Sequence, residues 1–413
     1  MKTNSTILLF IFLFASSLSF AEEKRFIIVA KDGSGDFSTI TQAINSLPMF
    51  NYQRTTIFVK NGIYDEKIRI DQDYITLEGE SREETIIQYA QLRSDWQANK
   101  DTIGPAVINI YGDDFILKNI TVENTQPEIG PHAFAIFGTG TRTIILNSTI
   151  KSKGADTVSL WNHKSGMYYH SNCYFEGSVD FVCPRGWCFI SDSQFYELKQ
   201  TASIWHAGGE KENQKFVIKN SSFDGVQGFE LGRHHYDAQF YFINCKFSDK
   251  MSQKEIYRVT YPNEPEKDRP FNWGKRIYFY NSKADTQKYP WLKNNLPKEF
   301  LNIENIDPVW TFDNQWNPEK SIGPKILDFK IDGNILSLHF DDKITVLGKP
   351  IIKSNNGKIF NYHSGAGSDT IQFKSQSNFD ANELNSFIII NDGKIIGTTA
   401  TVQTLPAILI IHN

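Results

Sequence analysis

A four-residue phrase that begins with Asn or Asp recurs through the middle of the chain and constrains its fold more than any other feature. The copies are Asn119-Ile-Thr-Val, Asn147-Ser-Thr-Ile, Asn172-Cys-Tyr-Phe, Asp192-Ser-Gln-Phe, Asn220-Ser-Ser-Phe, Asn244-Cys-Lys-Phe and Asn281-Ser-Lys-Ala. Successive copies are 28, 25, 20, 28, 24 and 37 residues apart, and each follows a short apolar or alternating stretch such as RTIILN or KFVIKN. Short strands with this period, separated by turn residues, are typical of a chain that winds into stacked coils.

The repeat predicts an all-β protein whose main unit is a right-handed parallel β-helix, a solenoid of stacked coils. In such a coil the recurrent Asn or Asp sits at one turn, where its side chain can bond the backbone of the neighbouring coil. A β-sandwich with coincidental Asn spacing is the alternative.

An N-terminal capping helix is predicted where the repeat has not yet begun. Ser38 precedes the segment TITQAINSL, in which Ile40, Ala43, Ile44 and Leu47 fall on one helical face. A solenoid needs such a cap to cover the apolar end of its first coil.

The C-terminal third of the chain has a different pattern. After Asn281 the sequence becomes rich in Trp, Pro and Asn, which predicts a tail packed along the solenoid. After Gly323-Pro324 it changes to alternating strands joined by Asp-Gly turns. This pattern favours a small immunoglobulin-like β-sandwich.

The first 21 residues have the pattern of a secretory signal peptide. Lys2 is followed by an apolar run from Ile7 to Ala15, with small residues Ser19 and Ala21 before the expected cleavage point. No later run is long enough for a transmembrane helix, so we expect a secreted, periplasmic or cell-surface protein. The predicted organisation is a signal peptide at 1–21, a β-helix domain at 22–320 and the sandwich at 324–413.

Composition excludes several function classes. The 413 residues are 40% hydrophobic and carry a net charge of −4, so the chain folds but has no basic excess for binding nucleic acid. The four cysteines are too few for a disulfide scaffold, and their spacing matches no zinc pattern. We expect free thiols, because Cys173 and Cys245 fall in apolar strands where a thiol can be buried; disulfide pairing is the alternative.

Two aspartates fall at matching positions of adjacent coils. Asp156 lies nine residues after Asn147 and Asp180 eight after Asn172. Because stacked strands are about 4.8 Å apart, the two carboxylates should be lateral neighbours. Mutual repulsion would then keep one protonated while the other stays ionised, which provides an acid beside a nucleophile. From spacing alone, two solvated surface acids or a calcium site remain open.

From Lys31 to Lys320 the chain resembles the pectin methylesterase (pectinesterase) family. The N-terminal blocks that resemble it are Gly33-Ser-Gly-Asp-Phe-Ser-Thr-Ile, Ile57-Phe-Val-Lys-Asn-Gly62-Ile-Tyr64, Ile75-Thr-Leu-Glu-Gly79 and Asn119-Ile-Thr-Val-Glu-Asn124-Thr. The blocks that resemble its catalytic segments, in the same order, are Asp156-Thr157, Gly177-Ser-Val-Asp180-Phe-Val and Leu231-Gly-Arg233.

This resemblance implies a secreted carbohydrate esterase that hydrolyses methyl esters of galacturonate units in pectin. It implies that Asp180 is the nucleophile, Asp156 the acid and later base, and Arg233 the cation that holds Asp180 ionised. It also implies that no metal or other cofactor is needed. We expect a monomer whose partner is pectin or an oligogalacturonide.

The chain departs from the family pattern around these three residues. The glutamine that usually precedes the first catalytic aspartate is Ala155, and a second family glutamine is replaced by His132. His132 is therefore the candidate oxyanion donor, with a purely structural histidine as the alternative. The aromatic residue expected three after the nucleophile is Cys183, and His234-His235 stand where the family has Pro-Trp.

Replacement sugar-binding surface is predicted from nearby aromatic residues and a histidine. These candidates are Tyr168, Tyr169, Trp205, His235 and Tyr236. The altered oxyanion residues keep open a second function, a catalytically weakened or altered-specificity pectin-binding protein. A polysaccharide lyase is a third and weaker alternative, because only two stacked acids are evident.

Overall fold

The computed structural model of the chain describes residues 26–51, 54–207, 211–300, 302–321, 326–340, 344–348, 350–354, 357–378, 386–390, 393–397 and 408–410. The predicted signal peptide and the Gly323-Pro324 boundary lie outside these residues. No helix within the described ranges is long and apolar enough to cross a membrane.

The first part of the chain forms a parallel β-helix, as the repeat predicts. Over the described residues, each coil contributes one strand to a ten-stranded sheet and one to a nine-stranded sheet, and every pairing is parallel with the coil before or after. The ten strands, in spatial order, are Phe26–Val29, Thr55–Val59, Ile75–Gly79, Ile116–Lys118, Thr143–Leu146, Met167–Ser171, Trp187–Ser191, Phe216–Lys219, Gln239–Ile243 and Arg276–Tyr280. The nine are Lys283–Ala284, Lys246–Phe247, Ser222–Gly225, Gln194–Glu197, Tyr174–Ser178, Thr149–Ala155, Thr121–Asn124, Thr85–Tyr89 and Gly62–Asp65.

The third face of the solenoid is interrupted at its centre. Its two described sheets are Val158–Leu160, Phe134–Gly138, Ala106–Ile110 and Ile68–Ile70, and then Ala202–His206, Glu230–His234 and Tyr257–Arg258. Val182 bridges the gap, because it pairs with Val158 on one side and Ile204 on the other. The predicted catalytic residues lie around this interruption.

The recurrent Asn forms a ladder along one corner of the solenoid. Each copy adopts the left-handed conformation, for example Asn147 at φ 43° and Asn172 at φ 54°, a conformation that Asn tolerates better than most residues. The amide of Asn147 donates to Oδ1 of Asn119 at 2.7 Å, and that of Asn172 donates to Oδ1 of Asn147 at 2.9 Å. The predicted partner was therefore wrong, since the side chain bonds the neighbouring side chain rather than backbone.

The last residue of the phrase fills the core. Phe175, Phe195, Phe223 and Phe247 occupy matching positions of the nine-stranded sheet and are at most 2% exposed. The rings of Phe195 and Phe223 stack with centroids 4.3 Å apart. Each such pair adds about 0.5–1.5 kcal/mol beyond area burial, so the phrase encodes a polar ladder outside and an aromatic stack inside.

The N-terminal helix covers the first coils. It spans Ile40–Asn45, and its buried residues Ile40, Ala43 and Ile44 join the solenoid core. Its N-cap is Thr39 rather than Ser38, because the Thr39 hydroxyl accepts from the Gln42 amide. The other described helices are Arg93–Ala98 and Pro308–Thr311, with 3-10 turns at Pro265–Lys267, Lys298–Phe300, Ile303–Asn305 and Pro318–Ser321.

The Trp- and Pro-rich tail packs on the outer face of the ten-stranded sheet, as predicted. Leu296, Ile306, Phe312 and Trp316 share an apolar cluster with outward-facing residues of that sheet. The Trp187 indole nitrogen donates to Oδ2 of Asp313 in the tail at 2.7 Å. All four cysteines are buried free thiols.

The described C-terminal strands form two antiparallel sheets. One has seven strands, in the order Ile326–Asp332, Ile335–Phe340, Thr370–Lys374, Ile359–Ser364, Ile351–Ser354, Ser386–Ile390 and Ile408–Ile410. Ile344–Gly348 pairs with Gly393–Gly397 in the other. Ile344 packs with Leu338, Phe360 and Phe373 of the larger sheet in one core, an arrangement consistent with a sandwich. The immunoglobulin-like assignment and the domain limits remain predictions.

Candidate active site

Coil stacking brings Asp156 and Asp180 together as predicted. Asp156 directly follows the strand Thr149–Ala155, and Asp180 lies two residues beyond the strand Tyr174–Ser178. Ala155 is opposite Ser178, and the Asp156 amide donates to the Val179 carbonyl at 3.1 Å. The two aspartates therefore lie at the same corner of adjacent coils.

The turn that carries Asp180 is strained. Val179 and Asp180 have φ values of 46° and 58°, and such a conformation is unusual for any residue other than glycine, above all a β-branched one. The Val179 amide donates to Oγ1 of Thr201 at 3.2 Å, and the Asp180 amide donates to the Ala202 carbonyl at 2.6 Å. In a regular strand, side-chain alternation would turn both Val179 and Phe181 inward. Phe181 is fully buried, but Val179 is only half-buried because the strand has already ended.

Arg233, which lies two coils after Asp180, holds the Asp180 carboxylate. It lies in the strand Glu230–His234, and its Nε and Nη2 donate to Oδ1 at 2.9 Å and to Oδ2 at 2.6 Å. Burial raises the pKa of Asp180, while the hydrogen bonds and charge of Arg233 act in the opposite direction. A bidentate guanidinium contact orients the carboxylate and favours its ionised form.

Among the described residues, no guanidinium donates to Asp156 in this way. Burial, reinforced by the charge of Asp180, raises the pKa of Asp156 to about 7, although Arg93, Arg185 and Arg233 act against the shift. The two acids therefore differ in their surroundings, since Asp180 is paired with Arg233 while Asp156 is protonated at a pH below about 7.

His132 stands beside Asp156 from the preceding coil. It bridges to Ala155, and its Nε2 lies 3.6 Å from Oδ2 of Asp156. Its side chain is 51% exposed. Burial of the other half and the charges of Arg93 and Arg233 lower the pKa of His132, so at neutral pH it is a neutral N–H donor rather than a cation. Ala155 is 1% exposed and has no side-chain donor.

Sequence reasoning missed three residues on the rim of the site. Trp161 and Arg185 each lie five residues after a catalytic candidate, Asp156 and Asp180, so the same register argument would have paired them. The Arg185 guanidinium lies 4.2 Å from the Trp161 ring centroid. The guanidinium of Arg93 lies 5.4 Å from the same ring. Arg93 belongs to the helix Arg93–Ala98, which lies outside the repeat, so the repeat spacing could not predict its position.

Glu197 is a further buried acid behind the site. Burial raises its pKa to about 9, so it is neutral at physiological pH. Its Oε1 accepts from the Lys199 amide at 3.0 Å and from Oγ1 of Thr201 at 3.3 Å. Because Thr201 in turn accepts from Val179, Glu197 supports the strained turn rather than the substrate.

The predicted sugar-binding residues separate into two groups. Two were wrong, because Tyr168 is fully buried in the solenoid core and Tyr169 is 5% exposed beneath the C-terminal tail. Tyr169 stacks on Phe189, and its hydroxyl lies 3.4 Å from Oε1 of Glu319. Both belong to the strand Met167–Ser171 of the ten-stranded sheet, away from the face that carries the aspartates.

The other three share a cavity of about 220 Å³. Its lining residues are His163, Arg185, Trp205, Ala207, His235, Tyr236 and Arg269. The strand Ala202–His206 pairs with Glu230–His234, which places Trp205 opposite Arg233. The cavity therefore adjoins the cation that holds Asp180.

The pectinesterase family model matches residues 26–238, which contain His132, Asp156, Asp180 and Arg233. This chain belongs to the pectinesterase family. Two relatives from Arabidopsis thaliana are pectinesterase 31, 35% identical over 167 residues, and probable pectinesterase 49, 32% identical over 220 residues. The matches cover 38% and 51% of this chain, and the chain spans only 51% and 59% of the lengths of those two relatives.

Solved pectinesterase structures share the fold of this family member. A pectin methylesterase in complex with a hexasaccharide has a TM-score of 0.56 and 21% identity, covering 71% of this chain and 98% of that one. The pectin methylesterase of Erwinia chrysanthemi has a TM-score of 0.56 and 20% identity, covering 72% and 99%. The parallel β-helix of this chain is thus shared with these structures, and the C-terminal sheets lie beyond the family match.

Proposed function

We propose that the chain is an esterase that hydrolyses methyl esters of galacturonate units in pectin or pectic oligosaccharides, with Asp180 as the nucleophile. The observation that carries the proposal is that the two neighbouring acids have different surroundings. Arg233 donates two hydrogen bonds to Asp180, while Asp156 has a pKa of about 7. Family membership supports the substrate class.

In the first half of the reaction, the ionised carboxylate of Asp180 attacks the ester carbonyl carbon. The tetrahedral intermediate collapses as the bond to the methoxy oxygen breaks, and Asp156 gives its proton to that oxygen. Methanol leaves, and the galacturonyl group stays joined to Asp180 as an anhydride. Asp156 is then ionised.

In the second half, ionised Asp156 takes a proton from water, which attacks the same carbonyl carbon. The bond to Asp180 breaks, and the product leaves as a galacturonic acid unit that loses its remaining proton to solvent. Asp180 returns to its contact with Arg233 and Asp156 is protonated again, so the cycle closes without a metal or redox group.

The intermediate carries negative charge on the former carbonyl oxygen, and a donor must already point towards that charge. His132 is the proposed donor because it lies beside Asp156 on the preceding coil. We also propose that the protein is exported and acts as a monomer; the N-terminal sequence supports export.

The decisive experiment measures methanol release from highly methylated pectin and short methylated oligogalacturonides, with acetate quantified in parallel. Asp180→Asn keeps the shape of the side chain but removes the attacking charge, so turnover should fall at least about a thousandfold with the circular dichroism spectrum unchanged. Asp192→Asn, on the Asn ladder, is the matched control and should keep full turnover.

Wild-type-like methanol release by verified Asp180→Asn protein would overturn the nucleophile assignment. Saturable pectin binding without release of methanol or acetate by the wild type would instead favour the binding protein that Ala155 suggests. A new unsaturated-uronate absorbance would indicate a lyase.

A further inference from the structure

A short segment on the coil after Asp180 holds the turn that carries this aspartate. Residues 198–202 follow the strand Gln194–Glu197 and supply an acceptor to each strained amide of the turn. The Val179 amide donates to Oγ1 of Thr201 at 3.2 Å, and the Asp180 amide donates to the Ala202 carbonyl at 2.6 Å. Left-handed backbone at residues other than glycine persists only where the surroundings hold it. The position of Asp180 therefore depends on the position of this segment.

The Glu197 carboxyl group orders the segment from inside the solenoid. Its Oε1 accepts from the Lys199 amide at 3.0 Å and from the Thr201 hydroxyl at 3.3 Å. A threonine hydroxyl has one hydrogen to donate. Because the Thr201 hydroxyl donates that hydrogen to Glu197, its lone pairs are directed towards the Val179 amide. One carboxyl oxygen thus fixes both the path of the segment and the orientation of the hydroxyl.

The neighbouring strands leave room for Glu197, which is 0% exposed. The residues opposite it on the two adjacent coils are Gly177 and Gly225. A Cβ at Gly225 would lie 2.6 Å from the carbonyl oxygen of Glu197 and 3.0 Å from its Cβ, so a larger residue there would displace the strand that ends at Glu197. The glycine on the following coil therefore permits this placement.

Glu197 is built to stay neutral. Its Oε2 is buried and has no hydrogen-bond partner among the described residues. Burial first, with a smaller contribution from the charge of Asp180, raises the pKa of Glu197 to about 9, against the hydrogen bonds to Oε1. An ionised Glu197 would place a buried charge beside Asp180 with no donor for Oε2, which is costly.

We propose that Glu197 is a positioning residue for the esterase reaction, because it fixes, through Thr201, the turn that presents Asp180 to the ester carbonyl. The inference rests on the proposed function. Glu197 lies in the solenoid interior and contacts no substrate, so its loss should affect the rate of attack rather than the binding of the substrate.

The first test separates turnover from binding in substituted proteins at pH 7. Glu197→Ala should lower kcat about ten- to a hundredfold through misplacement of the nucleophile, with a change in KM of less than about twofold. Glu197→Gln keeps an oxygen that accepts from Lys199 and Thr201 and should recover most of that loss. Glu123→Ala is the matched control, since it removes a carboxylate that pairs with Lys151 on the outer face of the same sheet, and it should keep the wild-type kcat.

A double-mutant cycle tests the route through Thr201. Thr201→Val removes the hydroxyl and should lower kcat by a factor similar to that of Glu197→Ala. Because both substitutions break the same relay, the double variant should be no slower than the slower single variant. Losses that multiply in the double variant, or full turnover in Glu197→Ala, would overturn the proposal.

The pH profile of kcat/KM gives a readout that a purely structural acid would not move. Asp156 loses its proton near pH 7 and Glu197 near pH 9, and both are required protonated. The logarithm of kcat/KM should therefore fall with a slope of about −1 above pH 7 and about −2 above pH 9. Glu197→Gln should keep the slope near −1 throughout, and a slope of −2 in that variant would contradict the proposal.

Hydrogen exchange at the Val179 and Asp180 amides distinguishes failure of this inference from failure of the proposed function, because it needs no substrate. Both amides should exchange at least about tenfold faster in Glu197→Ala, as expected when a hydrogen-bonded turn opens more readily. Faster exchange in a protein that releases no methanol would support the hold on the turn and remove the esterase. Methanol release with unchanged exchange in Glu197→Ala would leave the esterase and remove the positioning role.

Discussion

Two aspartates in equivalent turns acquire different chemistry from their neighbours. Asp156 and Asp180 both have positive φ and follow strands of the same sheet. Only Asp180 receives a bidentate guanidinium, while burial and the charge of Asp180 act on Asp156. The proposed division into nucleophile and acid therefore depends on which of the two carboxylates Arg233 contacts.

His132→Ala is expected to lower turnover about a hundredfold with little change in the Michaelis constant. The reason is that the proposed contact forms mainly in the transition state. His132→Gln keeps an N–H donor and should retain more turnover than the alanine variant. Steady-state methanol release measures both, and unchanged turnover in His132→Ala would assign the oxyanion donor to another group.

Asp156→Asn is expected to stabilise the protein at alkaline pH. With a pKa of about 7 when folded against an ordinary 3.8, Asp156 binds a proton in the folded state between about pH 4 and 7 that the unfolded state has lost. Its contribution to the free energy of unfolding therefore falls as the pH rises through that window and is constant above it. Asparagine does not titrate, so the free energy of unfolding of the variant should exceed that of the wild type by on the order of 2–4 kcal/mol at pH 8.

Thermal unfolding from pH 4 to pH 8 tests this expectation. The difference in Tm between variant and wild type should grow across the window. Asp95→Asn, at an exposed position of the helix Arg93–Ala98, is the control and should show no such growth. A constant difference across the range would contradict the raised pKa of Asp156.

At the scale of secondary-structure elements, the Asn ladder comes in two runs. One joins Asn119, Asn147 and Asn172, and the other begins at Asp192 and continues through Asn220. Asp192 accepts from Asn220 at 3.3 Å, but an ionised carboxylate has no hydrogen to donate to Asn172. The break therefore falls where the sequence substitutes Asp for Asn.

Asp192→Asn is expected to join the two runs and stabilise the solenoid. The new amide can donate to Oδ1 of Asn172, and one added hydrogen bond of this kind is worth about 0.5–1.5 kcal/mol. Asp192 already has φ 50°, a conformation that Asn tolerates well. Urea denaturation measures the change; Asp192→Ala is the opposite control, and a destabilised Asp192→Asn protein would contradict the ladder argument.

At the scale of the whole molecule, the solenoid and the C-terminal sheets have separate strand pairings and separate apolar clusters over the described residues. The four proposed catalytic residues, His132, Asp156, Asp180 and Arg233, all belong to the solenoid. The C-terminal sheets therefore have no assigned part in the chemistry.

A chain that ends at Ser321 is expected to stay soluble and to release methanol from short oligosaccharides at the full-length rate. The tail that ends there keeps Phe312 and Trp316, which cover the ten-stranded sheet. A chain that ends at Asn281 would expose that sheet and should aggregate. A folded Ser321 variant without turnover would show that the C-terminal unit contributes to the site.

The sequence by itself determined the parts of this protein that repeat. Because each coil returns to the same corner, the Asn spacing predicts the solenoid, and the same count predicts that Asp156 stacks on Asp180. The cap helix and the packed tail also follow from local pattern, since a helical face and a run of Trp and Pro need no distant contact to be recognised.

Only the tertiary structure decided which aromatic side chains line the cavity beside the aspartates and which charges surround the aspartates. Tyr168 and Tyr169 follow one another in the chain, yet neither lines that cavity, because their strand belongs to a different sheet. Arg93 reaches the site from a non-repeating excursion. Arg185 and Arg269 line one cavity although 84 residues separate them, because stacking of coils brings together residues that no local pattern connects.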